Sequence, residues 1–422
     1  MNFTHKKLTN GLTLMTVPMK DNLSVTVLVM VRTGSKYETK ENNGLSHFLE
    51  HMMFKGTTKR PKPSDIAIEL DSIGSQSNAF TGHEFTGYFA KAEPKHLSTI
   101  IDVVSDIYLN SVFAQTEIDK EKGVIVGEIN MYEDLPQHVA HKIFMETLYG
   151  DQPAGWDILG PKKNILKINR DDFQKYWKDH YVASATTVIV SGNFDEKTIE
   201  QDIEKAFVGT STESKHDKVP VVEIQTKPNL TIKQKETDQT HMVLGVRAFN
   251  ASDPRLMQLK VLSVVLGGGM SSRLFQKLRE EMGVGYYVRS GVDEFTDHGY
   301  LAVSTGIDTT RIVEVVKVIL EEFKKLTTDL VPQDELQKSK DFMIGNMFLG
   351  LESSDSLAEY YVVQDMLGEE IITPTQVAEK IRNVTAEEIQ LVAQEIFTNE
   401  KLNMAAVGNI TNAEEIKNTF SL

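Results

Sequence analysis

Residues 165–181 read ILKINRDDFQKYWKDHY, and residues 381–397, IRNVTAEEIQLVAQEIF, repeat their pattern of polar and apolar positions. Each stretch is followed by an apolar run, then Gly-Asn, then a polar segment. The two segments are TTVIVSGNFDEKTIE at 186–200 and LNMAAVGNITNAEEI at 402–416. A repeat at this distance predicts two domains built on one plan. The positions that match at a constant offset of 216 are Ile165, Asp172, Gln174, Gly192 and Asn193 with Ile381, Glu388, Gln390, Gly408 and Asn409.

The two halves also share a coarse order of elements. LTLMTV (12–17) and SVTVLVMV (24–31) have the composition of strands, and Asn10-Gly11 supplies a turn before the first. Apolar residues recur with helical spacing over 97–108 and again over 312–323. Strands mixed with helices that cover one face predict α+β domains. We place the first domain at 1–212, a polar linker at 213–224 and the second domain at 225–422.

Composition excludes several kinds of function. The 422 residues include no cysteine, so any metal must be bound by His, Asp or Glu. A net charge of −15 argues against nucleic-acid binding; it favours solubility or, as an alternative, basic peptide substrates. The sequence has neither a signal peptide nor an apolar stretch of the ~18 residues that a membrane span needs. We therefore expect a cytoplasmic protein without a membrane partner, unless a leader has been removed.

His47-Phe-Leu-Glu50-His51 lies within the apolar run GLSHFLEHMMF (44–54). On a helix the two imidazoles and the carboxylate fall within an arc of about 100°, which suits one metal ion with Glu50 close to a bound water. The alternative is a pair of surface or capping histidines beside a solvated glutamate. We favour the metal site, because the apolar flanks indicate burial and buried polar groups need partners. H-x-x-E-H is the signature of inverzincin peptidases.

A hydrolytic zinc site usually has a third protein ligand. The best source is TEIDKEKGVIVGEINMYEDLP (116–136), in which Glu121 and Glu128, seven residues apart, share one face of a predicted helix. Spacing alone fits two acids on a surface helix equally well, because the chain is so acidic.

Taken together, these motifs resemble the pitrilysin and insulinase family of zinc metallopeptidases, especially its mitochondrial-processing-peptidase-like branch. That family has a liganding glutamate, within an E-x6-E pair, about 70–80 residues after H-x-x-E-H; here Glu128 follows His51 by 77 positions. The resemblance implies one Zn²⁺ per chain, bound by His47, His51 and Glu128. It implies that Glu50 is the general base on zinc-bound water and that Glu121 orients a ligand imidazole. Each domain should be a mostly antiparallel sheet with helices packed on it, forming half of a clamshell.

SQSNAFTGHEFTGYFA (75–90) is similar to the edge strand of that family, which binds substrate by β-augmentation. The resemblance implies substrate contacts from Asn78, Ala79 and Phe80. Taken by themselves, these residues indicate only a strand and a turn.

GGGMSSRLFQKLREEMGVGYYV (267–288) resembles the family segment that has a substrate-binding Arg and Tyr seven residues apart. Arg279 and Tyr286 fit this spacing, which implies that they donate hydrogen bonds to the scissile carbonyl as it becomes an oxyanion. Tyr287 stands where a smaller residue is expected.

In the second half, approximate local alignment places residues that cannot form a zinc site opposite the metal motif. The second domain is therefore expected to lack the metal and to bind substrate. These residues are Gln258, Val261 and Leu262, opposite His47, Glu50 and His51, and Ser339 and Asn346, opposite Glu121 and Glu128.

The motifs and the family resemblance together imply a zinc metalloendopeptidase acting on extended or unfolded peptides in a closed chamber. The resemblance implies a homodimer in which Arg279 and Tyr286 reach the zinc site of the partner; a heterodimer with an inactive relative is the alternative. A non-catalytic subunit of the same fold, or a metal-dependent hydrolase of other substrates, are the competing functions.

Overall fold

The structure, a computed structural model, describes residues 2–422. Within these residues, none of the helices combines the length and apolar character that crossing a bilayer requires. The chain forms two compact units. Unit 1 consists of the chain up to Asn130, Trp156–Val219 and Gly350–Ile371, and unit 2 consists of Met131–Gly155, Pro220–Leu349 and Ile372–Leu422.

Unit 1 contains a six-stranded sheet in the order β1-β2-β6-β3-β5-β4. All neighbouring strands are antiparallel except β2 and β6, which are parallel. The predicted strands near the N-terminus are confirmed as β2 and β3. The six strands are β1 Thr4–Lys7, β2 Thr13–Pro18, β3 Val25–Val31, β4 Gln76–Thr81, β5 Thr86–Ala92 and β6 Thr186–Gly192.

Unit 2 contains a five-stranded sheet in the order β7-β11-β8-β10-β9. Its one parallel pair is β7 and β11, and the other neighbours are antiparallel. The strands are β7 Asn229–Gln234, β8 Thr240–Ala248, β9 Gly285–Glu294, β10 Gly299–Ile307 and β11 Leu402–Gly408.

Helices cover the sheets, and the two predicted amphipathic helices are confirmed as α3 and α10. A π-helix, Phe275–Glu281, precedes β9. The α-helices are α1 Leu45–Met53, α2 Pro63–Ser72, α3 Leu97–Asn110, α4 Gln115–Asp134, α5 Pro136–Tyr149, α6 Lys162–Ile165, α7 Arg170–His180, α8 Ile199–Ala206, α9 Leu256–Gly267, α10 Ile312–Thr328, α11 Gln333–Gly350, α12 Ser354–Leu367, α13 Pro374–Asn383, α14 Ala386–Ile396 and α15 Ala413–Thr419.

The central strands of unit 1 lack a solvent-facing side. Every residue of β3, VTVLVMV, is buried, because β3 contacts both α3 and α12. Such a strand has a continuous apolar run where a half-exposed strand would alternate. The predicted α+β class is confirmed in both units.

The internal repeat is confirmed by the topology. The helices α7 and α14 begin 216 residues apart, as do the strands β6 and β11. The orders β2-β6-β3-β5-β4 and β7-β11-β8-β10-β9 are equivalent, with the parallel pair at the same place in each.

The two halves of the sequence exchange one helix each: α5 of the first half belongs to unit 2, and α12 of the second half belongs to unit 1. The helix α5 packs on β8 and β11, whereas its counterpart α12 packs on β3 and β6. The division between Val219 and Pro220 falls within the predicted linker 213–224. In addition, unit 1 includes Gly350–Ile371 from the second half, and unit 2 includes Met131–Gly155 from the first half. The sequence does not predict the exchange, because the apolar face of a helix does not specify which of two similar sheets it covers.

Polar contacts fix α12 on the sheet of unit 1 near both ends of the helix. At its start, Ser354 Oγ lies 2.8 Å from Thr26 Oγ1. Towards its end, the Asp365 carboxylate accepts hydrogen bonds from Thr187 at 2.6 Å and from His5 at 3.1 Å, and it forms an ion pair with Arg32 at 3.1 Å. The helix between these anchors contributes Leu357, Ala358, Tyr361, Val362 and Met366 to a buried apolar cluster.

Candidate metal centre

The helix α1, which contains H-x-x-E-H, is anchored by a buried carboxylate at its N-terminus. Glu38 accepts hydrogen bonds from the backbone N–H groups of Gly44 and Ser46, at 2.9 and 2.6 Å, and from the Asn43 side chain at 2.9 Å. A negative charge at this position also offsets the helix dipole. Burial raises the pKa of Glu38 to about 7, although these hydrogen bonds lower it.

Gly44 precedes α1 with φ of 101°, a left-handed conformation that favours glycine. A Cβ at this position would also lie 2.6 Å from the carbonyl oxygen of Leu159. The position where α1 begins is therefore fixed by backbone geometry as well as by Glu38.

Three side chains of unit 1 converge as predicted. Glu128 Oε2 lies 3.6 Å from His47 Nε2 and 3.6 Å from His51 Nε2, and the ligand atoms of the three residues all lie within 4.8 Å of one another. Metal–ligand distances of about 2.0–2.2 Å in a tetrahedral site separate zinc ligands by roughly 3.3–3.6 Å. Two nitrogens and one carboxylate oxygen at this spacing fit a divalent cation that keeps one open position.

The environment of His47 suits a metal ligand. Burial, together with a smaller effect of the neighbouring His51, lowers the pKa of His47 to about 4. A neutral imidazole has the free lone pair that a metal ligand must donate. His47 Nδ1 is buried and has no hydrogen-bond partner among residues 2–422. The other ring nitrogen, Nε2, lies 3.6 Å from Glu128 Oε2.

Glu121 holds the second imidazole from behind. Glu121 Oε1 lies 2.9 Å from His51 Nδ1, which leaves His51 Nε2 facing Glu128. The other carboxylate oxygen of Glu121 pairs with Lys55 Nζ at 2.7 Å. Although burial opposes it, these hydrogen bonds from His51 and Lys55 keep the pKa of Glu121 below its usual value. A carboxylate behind a ligand histidine fixes its tautomer and ring orientation.

Glu50 lies on the same helix and contacts a neighbouring strand. Thr81 Oγ1, at the end of β4, donates a hydrogen bond to Glu50 Oε2 at 2.5 Å. Burial raises the pKa of Glu50, whereas the hydrogen bond from Thr81 lowers it. A carboxyl group with a raised pKa is suited to exchanging protons near neutral pH.

The strand β4 is an edge strand, which among residues 2–422 pairs only with β5. Asn78 is exposed and accepts a hydrogen bond from the Ala79 backbone N–H at 2.9 Å. Phe80 lies against Gly87 and packs with the apolar cluster that includes α12. Side chains alternate along a strand, so Phe80 faces the opposite side of the sheet from Thr81.

In unit 2, Arg279 and Tyr286 lie beside each other and both are exposed. The Arg279 guanidinium, at the end of the π-helix, donates a hydrogen bond to the Tyr286 backbone carbonyl. The neighbouring Tyr287 faces elsewhere, with its hydroxyl 3.2 Å from His241 Nδ1. Tyr286 is thus exposed, whereas Tyr287 is half-buried against His241.

The helices of unit 2 that correspond to α1 and α4 are α9 and α11. The α9 residues Val261 and Leu262 are part of the apolar core, and on α11 the buried Ser339 bonds back to the Glu335 carbonyl. Gln258 and Asn346 complete the set, which contains neither histidine nor carboxylate. This equivalent position cannot form a similar metal site.

Comparison with known proteins identifies the family. A family model described as Insulinase (Peptidase family M16) matches residues 16–162, and one described as Peptidase M16 inactive domain matches residues 167–343. The chain is 36% identical over 377 residues to an uncharacterized zinc protease of Bacillus subtilis, YmxG, covering 89% of this chain and 91% of that protein. The chain belongs to the M16 peptidase family. The resemblance to the pitrilysin and insulinase family is therefore confirmed.

Other known proteins are similar to this chain in sequence or in fold. An uncharacterized zinc protease of Rickettsia bellii is 33% identical over 94% of this chain and 95% of that protein. A crystal structure of a protease from Helicobacter pylori has a TM-score of 0.89 at 21% identity, covering 96% of this chain and 99% of that one. A peptidase M16 inactive domain from Pseudomonas fluorescens has a TM-score of 0.90 at 14% identity, covering 97% and 99% of the two chains. At these identities the two structures show a common fold.

Sequence reasoning missed three residues around the M16 motif. Lys55 pairs with Glu121, Glu38 caps α1, and Thr81 bonds to Glu50. Lys55 could have been found, because it follows His51 by four residues, just after the end of α1. No pattern in the sequence marks the other two, since their contacts depend on how the loop and the hairpin fold against α1.

Proposed function

We propose that this M16 protein is a zinc metalloendopeptidase that hydrolyses extended or unfolded peptides. The observation that supports this most is the convergence of His47, His51 and Glu128, whose ligand atoms lie within 4.8 Å of one another, with Glu50 on the same helix as the two histidines. The relatives named zinc proteases support the metal and the reaction class. The inactive-domain match covers residues 167–343, which do not include His47, Glu50, His51 or Glu128, so it does not favour a non-catalytic subunit.

Zinc, when bound, polarises the scissile carbonyl and lowers the pKa of a coordinated water. The other functions come from residues of the chain. Glu50 accepts a proton from the attacking water and delivers it to the leaving amine. Glu121 holds the His51 ring so that its Nε2 faces Glu128, and the neutral state of His47 keeps its nitrogen lone pair available.

The free edge of β4 supplies the binding surface for substrate. An extended peptide can pair with the main chain of β4, whose first residues, Gln76–Asn78, are exposed. Side chains of Asn78, Ala79 and Phe80 are the nearest groups along that edge, with Phe80 on the sheet face that contacts the α12 cluster. Because a peptide must be extended to pair with this edge, we propose extended or unfolded peptides as the substrates.

Arg279 and Tyr286 are the proposed donors to the oxyanion that forms from the scissile carbonyl. They are exposed and adjacent, which suits binding to a group outside their own unit. In our proposal they act at the zinc site of a second copy, so that the active protein is a homodimer; a heterodimer with an inactive relative is the alternative. Light scattering of active material tests this, and an active monomer would contradict it.

Replacing Glu50 by glutamine tests the reaction directly. Wild type and Glu50→Gln should contain equal zinc, whereas hydrolysis of a quenched fluorescent peptide should fall by about 10²–10⁴-fold, the usual contribution of a general base. Glu41→Gln is the matched control, because Glu41 is an exposed glutamate just before α1. Unchanged turnover by Glu50→Gln, or an equal loss in the control, would reject the role of Glu50.

A further inference from the structure

We infer that Thr81 is a positioning residue that holds the Glu50 carboxylate for proton transfer and links the edge strand β4 to the catalytic base. This inference rests on the proposed peptidase function, in which Glu50 is the base. It assigns a role to a residue outside both the zinc motif and the Asn78–Phe80 segment.

The contact between Thr81 and Glu50 is the main observation. Thr81 Oγ1 donates to Glu50 Oε2 at 2.5 Å, and within residues 2–422 no other hydrogen bond to the Glu50 side chain is present. A carboxylate at the surface of a helix can rotate about several bonds unless a partner fixes it. The Thr81 hydroxyl is therefore the group that sets the orientation of this carboxylate, and it leaves Oε1 free to take the proton.

Thr81 is itself fixed by the hairpin that it closes. It pairs with Thr86 at the last position of the β4–β5 ladder, and the Gly82 N–H bonds to the Phe85 carbonyl at 2.8 Å across the turn. Such a short antiparallel connection fixes the register of the strands that it joins. Thr81 thus has little freedom to move away from Glu50.

A second segment holds the hairpin turn from the outside. The Lys36 N–H bonds to the His83 carbonyl at 2.9 Å, and Lys36 Nζ forms a buried ion pair with Glu84 at 2.8 Å. Gly34 lies so close that a Cβ there would be 2.3 Å from the Gly82 carbonyl oxygen. This close packing makes the turn rigid, which is what a support for a catalytic group requires.

The position of Thr81 on β4 gives the contact a consequence for catalysis. The unpaired edge that we propose to bind the peptide belongs to the strand whose last residue bonds to the base. A peptide that pairs with β4 is therefore held in a fixed position relative to Glu50, because Thr81 of the same strand bonds to the Glu50 carboxylate. If the strand needed only stability, valine would serve at least as well as threonine, because both are β-branched.

The experiment compares Thr81→Val, Thr81→Ala and Thr81→Ser in the zinc-loaded protein with a quenched fluorescent peptide. Val and Ala lack the hydroxyl, so kcat should fall about 10- to 100-fold while KM stays within about 2-fold. Ser keeps the hydroxyl and should retain kcat within about 3-fold of wild type. Zinc content and melting temperature should be unchanged in all three. Thr231→Val, which removes a hydroxyl from the edge strand β7 of unit 2, is the matched control.

Several results would overturn the inference: full kcat in Thr81→Val and Thr81→Ala, a Thr81→Ser variant as slow as Thr81→Val, or a loss confined to KM or to zinc content. Glu50→Gln measured in parallel separates this failure from failure of the proposed function. If wild type hydrolyses the peptide, Glu50→Gln does not, and Thr81→Val is fully active, only the role of Thr81 is wrong. If wild type has no zinc-dependent hydrolysis, both proposals fall together.

Discussion

Replacing Glu121 by alanine removes the acceptor that holds the His51 imidazole and leaves Lys55 without its counterion. The structure gives two contacts to lose, His51 Nδ1 at 2.9 Å and Lys55 Nζ at 2.7 Å. Loss of such an outer partner typically weakens metal binding by 10- to 100-fold, or about 1.4–2.8 kcal/mol. We expect the upper end of this range, because the unpaired Lys55 ammonium also repels the incoming cation.

Zinc affinity is measured by competition with a chromophoric chelator at constant pH and salt. Glu117→Ala is the matched control, since it removes an acid from α4 whose partner is the exposed Lys120. Lys55→Met should weaken zinc by less than about 3-fold, because it leaves the Glu121–His51 contact intact. Melting curves of the apo proteins distinguish lost affinity from lost folding. A Glu121→Ala variant that binds zinc within about 3-fold of wild type would refute this role of Glu121.

Two further predictions concern stability. Burial raises the pKa of Glu38 from 4.5 to about 7, so its contribution to the unfolding free energy is full below pH 4.5 and is lost as the pH rises to 7. The difference in unfolding free energy between wild type and Glu38→Gln should therefore fall by about 3 kcal/mol across that window in urea titrations; a pH-independent difference contradicts it. Asp365→Ala removes the shared partner of His5, Arg32 and Thr187 and should cost about 3 kcal/mol. An unchanged urea midpoint would show that this anchor of α12 contributes little.

The sequence predicts the parts of this molecule that depend on local spacing. The i, i+4 histidines predict the ligand pair on α1, and the constant offset of 216 predicts two similar sheets. Spacing did not suffice for Glu128, because a helix face with two acids fits a solvated surface equally well. The family resemblance singles out Glu128 as the third ligand, and in the structure its carboxylate lies 3.6 Å from both imidazoles.

Features that depend on how distant segments pack against one another could not be predicted from the sequence. α5 and α12 have the same place in their respective halves, and either sheet offers an apolar face, so no local pattern reveals that they are exchanged. Thr81 likewise looks like an ordinary strand residue. Its contact with Glu50 arises because the β4–β5 turn packs against the segment at 34–36 and α1 passes beside the end of β4.

Anomalous diffraction at the zinc absorption edge, from crystals of the zinc-loaded protein, would show directly whether His47, His51 and Glu128 bind zinc. We expect one peak per chain, about 2.0–2.2 Å from His47 Nε2, His51 Nε2 and a Glu128 carboxylate oxygen. No zinc peak at this position, or a Glu128 side chain turned away from the two imidazoles, would contradict it.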